Sequence, residues 1–239
     1  MAFLKEQRDL PSLRLCGADL PWVNKLKHLG NSISSTLDGN QMDMRIKMAR
    51  YVDKQNTICQ EFYFAHPSSK LIINSIYNGH YTGSQLWKLQ SREYDKVIST
   101  YNRSIKIMLD LPWATHRCLI EPLTGTPHLS KVLVKRYLSF IEKIEKSEKR
   151  SLKQLLRLSR SDVRTVTGYN LRTIMLLAGK TKIDDLDHNT TIDYHPVDEK
   201  DMWKVDFIRE LIEVKTGGLE VQGIETEEIQ HILEYICTS

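Results

Sequence analysis

The stretch Leu129-Ser-Lys-Val-Leu-Val-Lys-Arg-Tyr-Leu-Ser-Phe-Ile-Glu-Lys-Ile-Glu-Lys146 decides the fold class. Its apolar residues Leu129, Val132, Leu133, Tyr137, Phe140, Ile141 and Ile144 recur at helical spacing and so share one face. Lys131, Lys135, Lys143 and Lys146 fall off that stripe, and Lys149 and Arg150 follow the same pattern. The segment reads as a helix apolar on one side and cationic on the other.

The same periodicity extends in both directions. Upstream, Met44, Met48, Tyr51, Val52, Ile58 and Phe62 predict a helix over 43–64, and Pro67 stops it or starts the next, which carries Leu71, Ile72, Ser75 and Ile76. Ser91 is placed to cap a third helix whose buried face is Tyr94, Val97, Ile98, Tyr101, Ile105 and Met108. Residues 114–127, rich in Thr and Pro, read as a loop. Downstream, short helices are expected over 152–158 and 170–178, then a polar acidic linker, then amphipathic helices at about 199–215 and 225–237. Only the first forty residues differ. Period-two alternation around Ser12–Cys16, Leu20–Val23 and Lys27–Ile33, broken by Gly and Asp, predicts a small hairpin or meander. The expectation is a mainly α chain: a β segment (1–41), a helical bundle (42–180), and an acidic linker with a C-terminal helical tail (181–239).

Charge follows the same division. The formal net charge of +4 hides 24 basic against 11 acidic side chains in 42–180, and 5 basic against 15 acidic in 181–239. A basic body with an acidic tail points to a polyanionic partner for the body, or else to a solvated cationic face. Between His128 and Arg172 stand 12 Lys or Arg residues and four acidic ones, interleaved with Tyr137, Phe140 and Tyr169. Cations at helical spacing neutralise phosphates and release counterions. Neighbouring aromatics can stack on bases, or can simply be core. Lys135, Arg136, Lys143, Arg157, Arg160 and Arg164 are the expected phosphate contacts.

Catalytic patterns are missing from the sequence. There is no GxxxxGK[ST], GxSxG or HExxH. The Asp184-Asp185 pair lacks flanking apolar strands and reads as a solvated acidic loop, unlike the clustered carboxylates that hold two metal ions in nucleotidyl transfer. His116 and Cys118 are near in sequence, which is weak grounds for a nucleophile. The four cysteines form no CxxC, the expectation being buried reduced thiols, and no Cys/His spacing suits a metal. With no apolar leader at Met1–Leu10 and no long apolar run, the chain is expected to be intracellular (nucleus or cytoplasm), without membrane or metal partners.

Several runs together resemble one family. Leu20-Pro-Trp-Val with Lys27-His-Leu-Gly-Asn31 is similar to the Leu-Gly motif that follows the palm in reverse transcriptases of non-LTR (LINE-like) retrotransposons. Gln60-Glu-Phe with Ala65-His-Pro67, Tyr77-Asn, and Tyr81-Thr-Gly-Ser-Gln-Leu-Trp87 fit the region after it. So do Asp110-Leu-Pro112, Thr115-His-Arg117 through Ile120-Glu-Pro-Leu-Thr-Gly125, Asp162-Val-Arg-Thr, and Gly168-Tyr-Asn-Leu-Arg172. The resemblance covers about residues 12–178. It implies that Leu29 and Gly30 correspond to the primer grip, and that the helices after them form a thumb clasping an RNA–DNA template–primer duplex. It also implies that the palm aspartates, and the Mg2+ they bind in the full-length family enzyme, lie ahead of Met1. The chain is then expected to bind nucleic acid, without sequence preference, as the back end of an RNA-directed DNA polymerase encoded by a transposable element, and not to polymerise alone. His116, Arg117 and Glu121 match residues recurrent in the family, with no role assigned. The alternatives are a non-enzymatic protein–protein module or the product of a pseudogene.

Overall fold

A computed structural model describes residues 13–20, 23, 25–28, 31–34, 39–77, 81–192, 198–199, 202–216, 231–232 and 234–235. The chain is mainly helical. Two antiparallel hairpins come first, β1 (Leu13–Leu15) with β2 (Ala18–Leu20) and β3 (Lys25–His28) with β4 (Asn31–Ser34). The hairpins form separate two-stranded sheets, so the expected hairpin or small meander takes the form of two hairpins. Leu29 and Gly30, matched to the primer grip, lie outside the described residues, as does most of the helix expected over 225–237.

Eight α-helices follow among the described residues: α1 (Gly39–Glu61), α2 (Pro67–Tyr77), α3 (Arg92–Met108), α4 (Ile120–Thr124), α5 (Leu129–Lys146), α6 (Arg150–Ser161), α7 (Val166–Leu177) and α8 (Met202–Thr216). Pro67 starts α2, where its fixed φ suits a first helical turn. Ser91 caps α3 as expected, its side chain accepting from the Tyr94 N–H. Within 114–127 the chain forms α4, which packs against α8, so this segment is a built joint and not a loop. The acidic segment after Lys180 also folds back: Ile192 is buried, Ile183 and Leu186 pack on the core, and Asp184 pairs with Arg160. It is no spacer over 181–192.

Helix α1 sits at the centre, against α2, α3 and β4. Its inward face carries Met44, Tyr51 and Ile58, but also Asp43, Lys47 and Gln55, while Val52 and Phe62 are exposed. The polar residues are tied in. Lys47 Nζ donates to Asp43 Oδ2 at 2.7 Å and to Asn31 Oδ1 at 2.6 Å, and also bonds the Thr82 carbonyl. The same Asp43 oxygen accepts from Trp87 Nε1 at 2.8 Å. A buried ion pair so satisfied joins β4, α1 and residues 82–87 at one point. Around it Tyr51 packs on Tyr81 and Tyr101, with ring centroids 5.5 and 5.9 Å apart, and Tyr81 meets Trp87 edge-on.

Tyr81, Ser84, Trp87 and Leu89 are thus buried although residues 81–89 form only a short 3-10 turn, Ser84–Leu86, that leans on α5. Their far side is clamped by Asn170 of α7, whose Nδ2 donates to the Trp87 carbonyl at 2.7 Å and whose Oδ1 accepts from Leu89 N at 2.9 Å. Two glycines make this packing possible. Gly83 has φ +85°, and a Cβ there would stand 1.9 Å from Asn31 Oδ1. At Gly168 a Cβ would meet the Asp162 carbonyl oxygen at 2.3 Å, where the start of α7 abuts the end of α6.

Lys47→Met, which leaves Asp43 charged and buried, should lower unfolding free energy by about 3–5 kcal/mol. Lys47→Met with Asp43→Leu should lie closer to the parent than either single variant, read by urea denaturation. Gly83→Ala should cost at least about 2 kcal/mol, strain and steric clash together, and Asn31→Ala in the same chain should recover part of it.

Candidate nucleic-acid interface

Helix α5 is built by two adjoining rows of residues four apart. Leu129, Leu133, Val134, Tyr137, Leu138 and Ile141 face the core. Beside them run Val132, Arg136 and Phe140, and beside those Lys131, Lys135, Ser139 and Lys143. With a rise of about 6 Å per four residues, Lys131 and Lys135 stand one such step apart along the helix and Lys143 two steps further on. Together with Gln85 and Pro127 the two rows line an open groove of about 410 Å³. Its floor is Val132, Phe140 and Pro127, and its rim is Lys131, Lys135, Arg136 and Lys143. Arg136, Val132 and Pro127 also border a neighbouring cavity of about 180 Å³, whose other side includes Leu71 of α2.

The expected phosphate contacts divide into two groups. Lys135, Arg136 and Lys143 lie together on this groove, and none of them takes part in an ion pair among the described residues. Lys131, on the same rim, is held by Glu121 of α4 at 2.9 Å. The other three stand elsewhere. Arg157 is exposed on α6. Arg160 is half-buried and bonds Glu145, with Asp184 3.7 Å away. Arg164 grips Asp162 with both its Nε and Nη2, so its charge is already answered. That pairing holds the Asp162 carboxyl below its ordinary range, first through the Arg164 hydrogen bonds, and raises the guanidinium in return.

The aromatics divide in the same way. Tyr137 is 2% exposed and donates to the Thr167 carbonyl at 3.2 Å, so it joins α5 to α7 and cannot stack on a ligand. Burial pushes its phenol well above the usual range. Tyr169 is covered by Lys88, whose Nζ stands 4.3 Å from the ring centroid. Phe140 alone of the three lines the groove, half-buried, its other side against the core.

His116, Arg117 and Glu121 separate in space. Glu121 meets Lys131 on the groove rim, whereas His116 and Arg117 border a different pocket with Arg103, Lys106 and Trp113. Asp184 and Asp185 form an exposed 3-10 turn. Among the described residues no group of three or more His, Cys, Asp or Glu is placed to share a metal, and no helix is long and apolar enough to cross a membrane. Cys59 and Cys118 are half-buried free thiols, but Cys16, expected to be buried, is exposed at the β1–β2 turn. A tight hairpin of two three-residue strands has no interior in which to hide it.

Neither family models, curated proteins nor solved structures gave a match to this chain.

Arg164→Ala should raise the Asp162 titration midpoint part of the way back to the ordinary aspartate range, the backbone N–H of residue 164 still holding one oxygen, as followed by carboxyl NMR shifts against pH. A carboxyl held low contributes stability that is complete above its unfolded value and fades as pH falls through the folded one. The variant should therefore lose stability at neutral pH and not at strongly acidic pH. An unchanged midpoint would show that the ion pair does not form in solution.

Proposed function

We propose that this chain binds the backbone of a nucleic-acid duplex, in the manner expected of the thumb of a retrotransposon-type reverse transcriptase, with an RNA–DNA hybrid as the preferred ligand. The observation that carries the reading is the groove on α5. Three cations without carboxylate partners among the described residues, Lys135, Arg136 and Lys143, stand over the apolar floor of Phe140 and Val132. Phosphates would meet Lys135, Arg136 and Lys143, while the floor takes up sugar edges. Such contacts position a duplex without reading its sequence. The run of family-like motifs over residues 12–178 adds to this reading, which does not assign polymerisation to the chain.

Arg160 and Arg164 drop to a lesser place, since each would have to give up a carboxylate before meeting a phosphate. Arg157 remains a peripheral contact. A second reading, as a protein–protein module, draws on Leu155 and Leu158, which are exposed on α6 beside Leu152. Uncovered apolar residues at helical spacing suit a partner helix.

The full chain should bind a short RNA–DNA hybrid with an affinity that falls steeply with salt. Charge reversal at Lys135, Arg136 and Lys143 together should weaken binding for every sequence alike and reduce the log–log salt slope by about three, close to one per lost phosphate contact. Binding that ignores salt, or a slope unchanged by the triple variant, would remove the α5 groove from the interface. Leu155→Glu with Leu158→Glu should leave hybrid binding intact; loss of binding there would favour the second reading.

A further inference from the structure

Helix α3 has two working faces. Tyr94, Val97, Ile98, Tyr101, Ile105 and Met108 fill the core, and Tyr101 and Ile105 border the cavity beside the α5 groove. Ser99, Asn102, Arg103 and Lys106 lie round the other side, where spacing of three and four residues brings them together. There they meet residues 113–117, between α3 and α4, to form a pocket of about 370 Å³. That volume suits a small ligand.

The pocket is cationic. Arg103, Lys106 and Arg117 line it with His116, and its lining carries no carboxylate. Lys106 Nζ donates to the Trp113 carbonyl at 2.7 Å, which fixes the loop against the helix. The Arg103 guanidinium lies over one face of the Trp113 ring, 5.1 Å from its centroid, although that ring is 71% exposed. At the core side of the pocket sits Asn102, 3% exposed, and neither its Oδ1 nor its Nδ2 has a hydrogen-bond partner among the described residues. A buried amide with both ends unanswered costs stability unless something outside the chain satisfies it.

We infer that the pocket between α3 and residues 113–117 is a site for a phosphorylated nucleoside, its phosphate held by Arg103 and Arg117 and its base edge by the Asn102 amide. The amide offers one acceptor and one donor group side by side, the pattern that pairs with the N6/N7 edge of adenine. Trp113 supplies an aromatic surface beside it for stacking. Phosphate alone would answer the cations and leave Asn102 unpaired, so the nucleoside is the part that distinguishes this ligand from inorganic phosphate. The pocket is separate from the α5 groove and does not depend on the duplex reading.

Isothermal titration of the full chain with AMP, adenosine and inorganic phosphate tests the assignment. AMP should bind at about 1 mM or tighter, at least tenfold more tightly than inorganic phosphate or adenosine. Arg103→Glu with Arg117→Glu, both on exposed side chains, should weaken AMP at least tenfold. Asn102→Leu should reduce AMP to the level of phosphate while leaving the melting temperature unchanged or higher, an outcome that a purely structural asparagine would not give. Should Asn102→Leu not fold, the arginine pair and the wild-type ligand series still decide. The triple α5 variant should retain AMP binding. Equal affinity for AMP and phosphate, or AMP binding untouched by the arginine reversals, would overturn the proposal.

Discussion

The buried pair of Asp43 and Lys47 is the interaction on which the rest of the packing depends. Two opposite charges at 4% and 6% side-chain exposure are tolerable only because each is also hydrogen-bonded, to Trp87, to Asn31 and to the Thr82 carbonyl. Those partners come from two other pieces of chain, β4 and residues 82–87. The charge that must be neutralised therefore dictates where β4 lies, where residues 82–87 turn, and which edge of the Trp87 indole faces inward. Apolar contact alone is indifferent to a small sliding of one helix on another, whereas a shared carboxylate oxygen is not.

From that point the arrangement passes outward in steps. Residues 84–86 lean on α5, and Asn170 fixes the Trp87 carbonyl to α7. Tyr137 ties α5 to the first turn of α7 through Thr167. With its core side held this way, α5 can present the rows beginning at Lys131 and Val132 to solvent in a set orientation. The groove is thus a by-product of a helix wide enough in its apolar stripe to leave Val132 and Phe140 half outside the core. Cations flank them because the next row over is Lys131, Lys135 and Lys143.

What could be read in the sequence was whatever repeats. The faces of α3 and α5 follow from apolar spacing, and the Ser91 cap from its position before the first buried turn. The inward polar edge of α1 could not be read, because Asp43, Lys47 and Gln55 look like solvent-facing residues until their partners, far away in sequence, are known. The same limit explains the six cations. Spacing brought Lys135, Arg136 and Lys143 onto one helix surface, but no spacing reveals that Asp162 will hold Arg164 or that Glu145 and Asp184 will hold Arg160. Arg103 and Asn102 escaped notice for a related reason: they come together with residues 113–117 only when the chain turns back after α3. Several short runs singled out for their family likeness, among them Tyr81–Trp87 and Gly168–Arg172, supply Gly83, Trp87, Gly168 and Asn170, which are joints of the packing.

The clamp between Asn170 and residues 87–89 closes a circuit of more than eighty residues of chain. On a ribosome, where the chain grows at about 5–20 residues per second, the Trp87 carbonyl and the Leu89 amide wait several seconds before their partner is even synthesised. During that interval α1, α2 and α3 can assemble from near neighbours, but the Trp87 carbonyl and the Leu89 N–H have only water to bond. Closure then comes late and from a distance, which makes arrival of α7 the step that seals the fold and leaves the half-built N-terminal half as the stretch most in need of shelter.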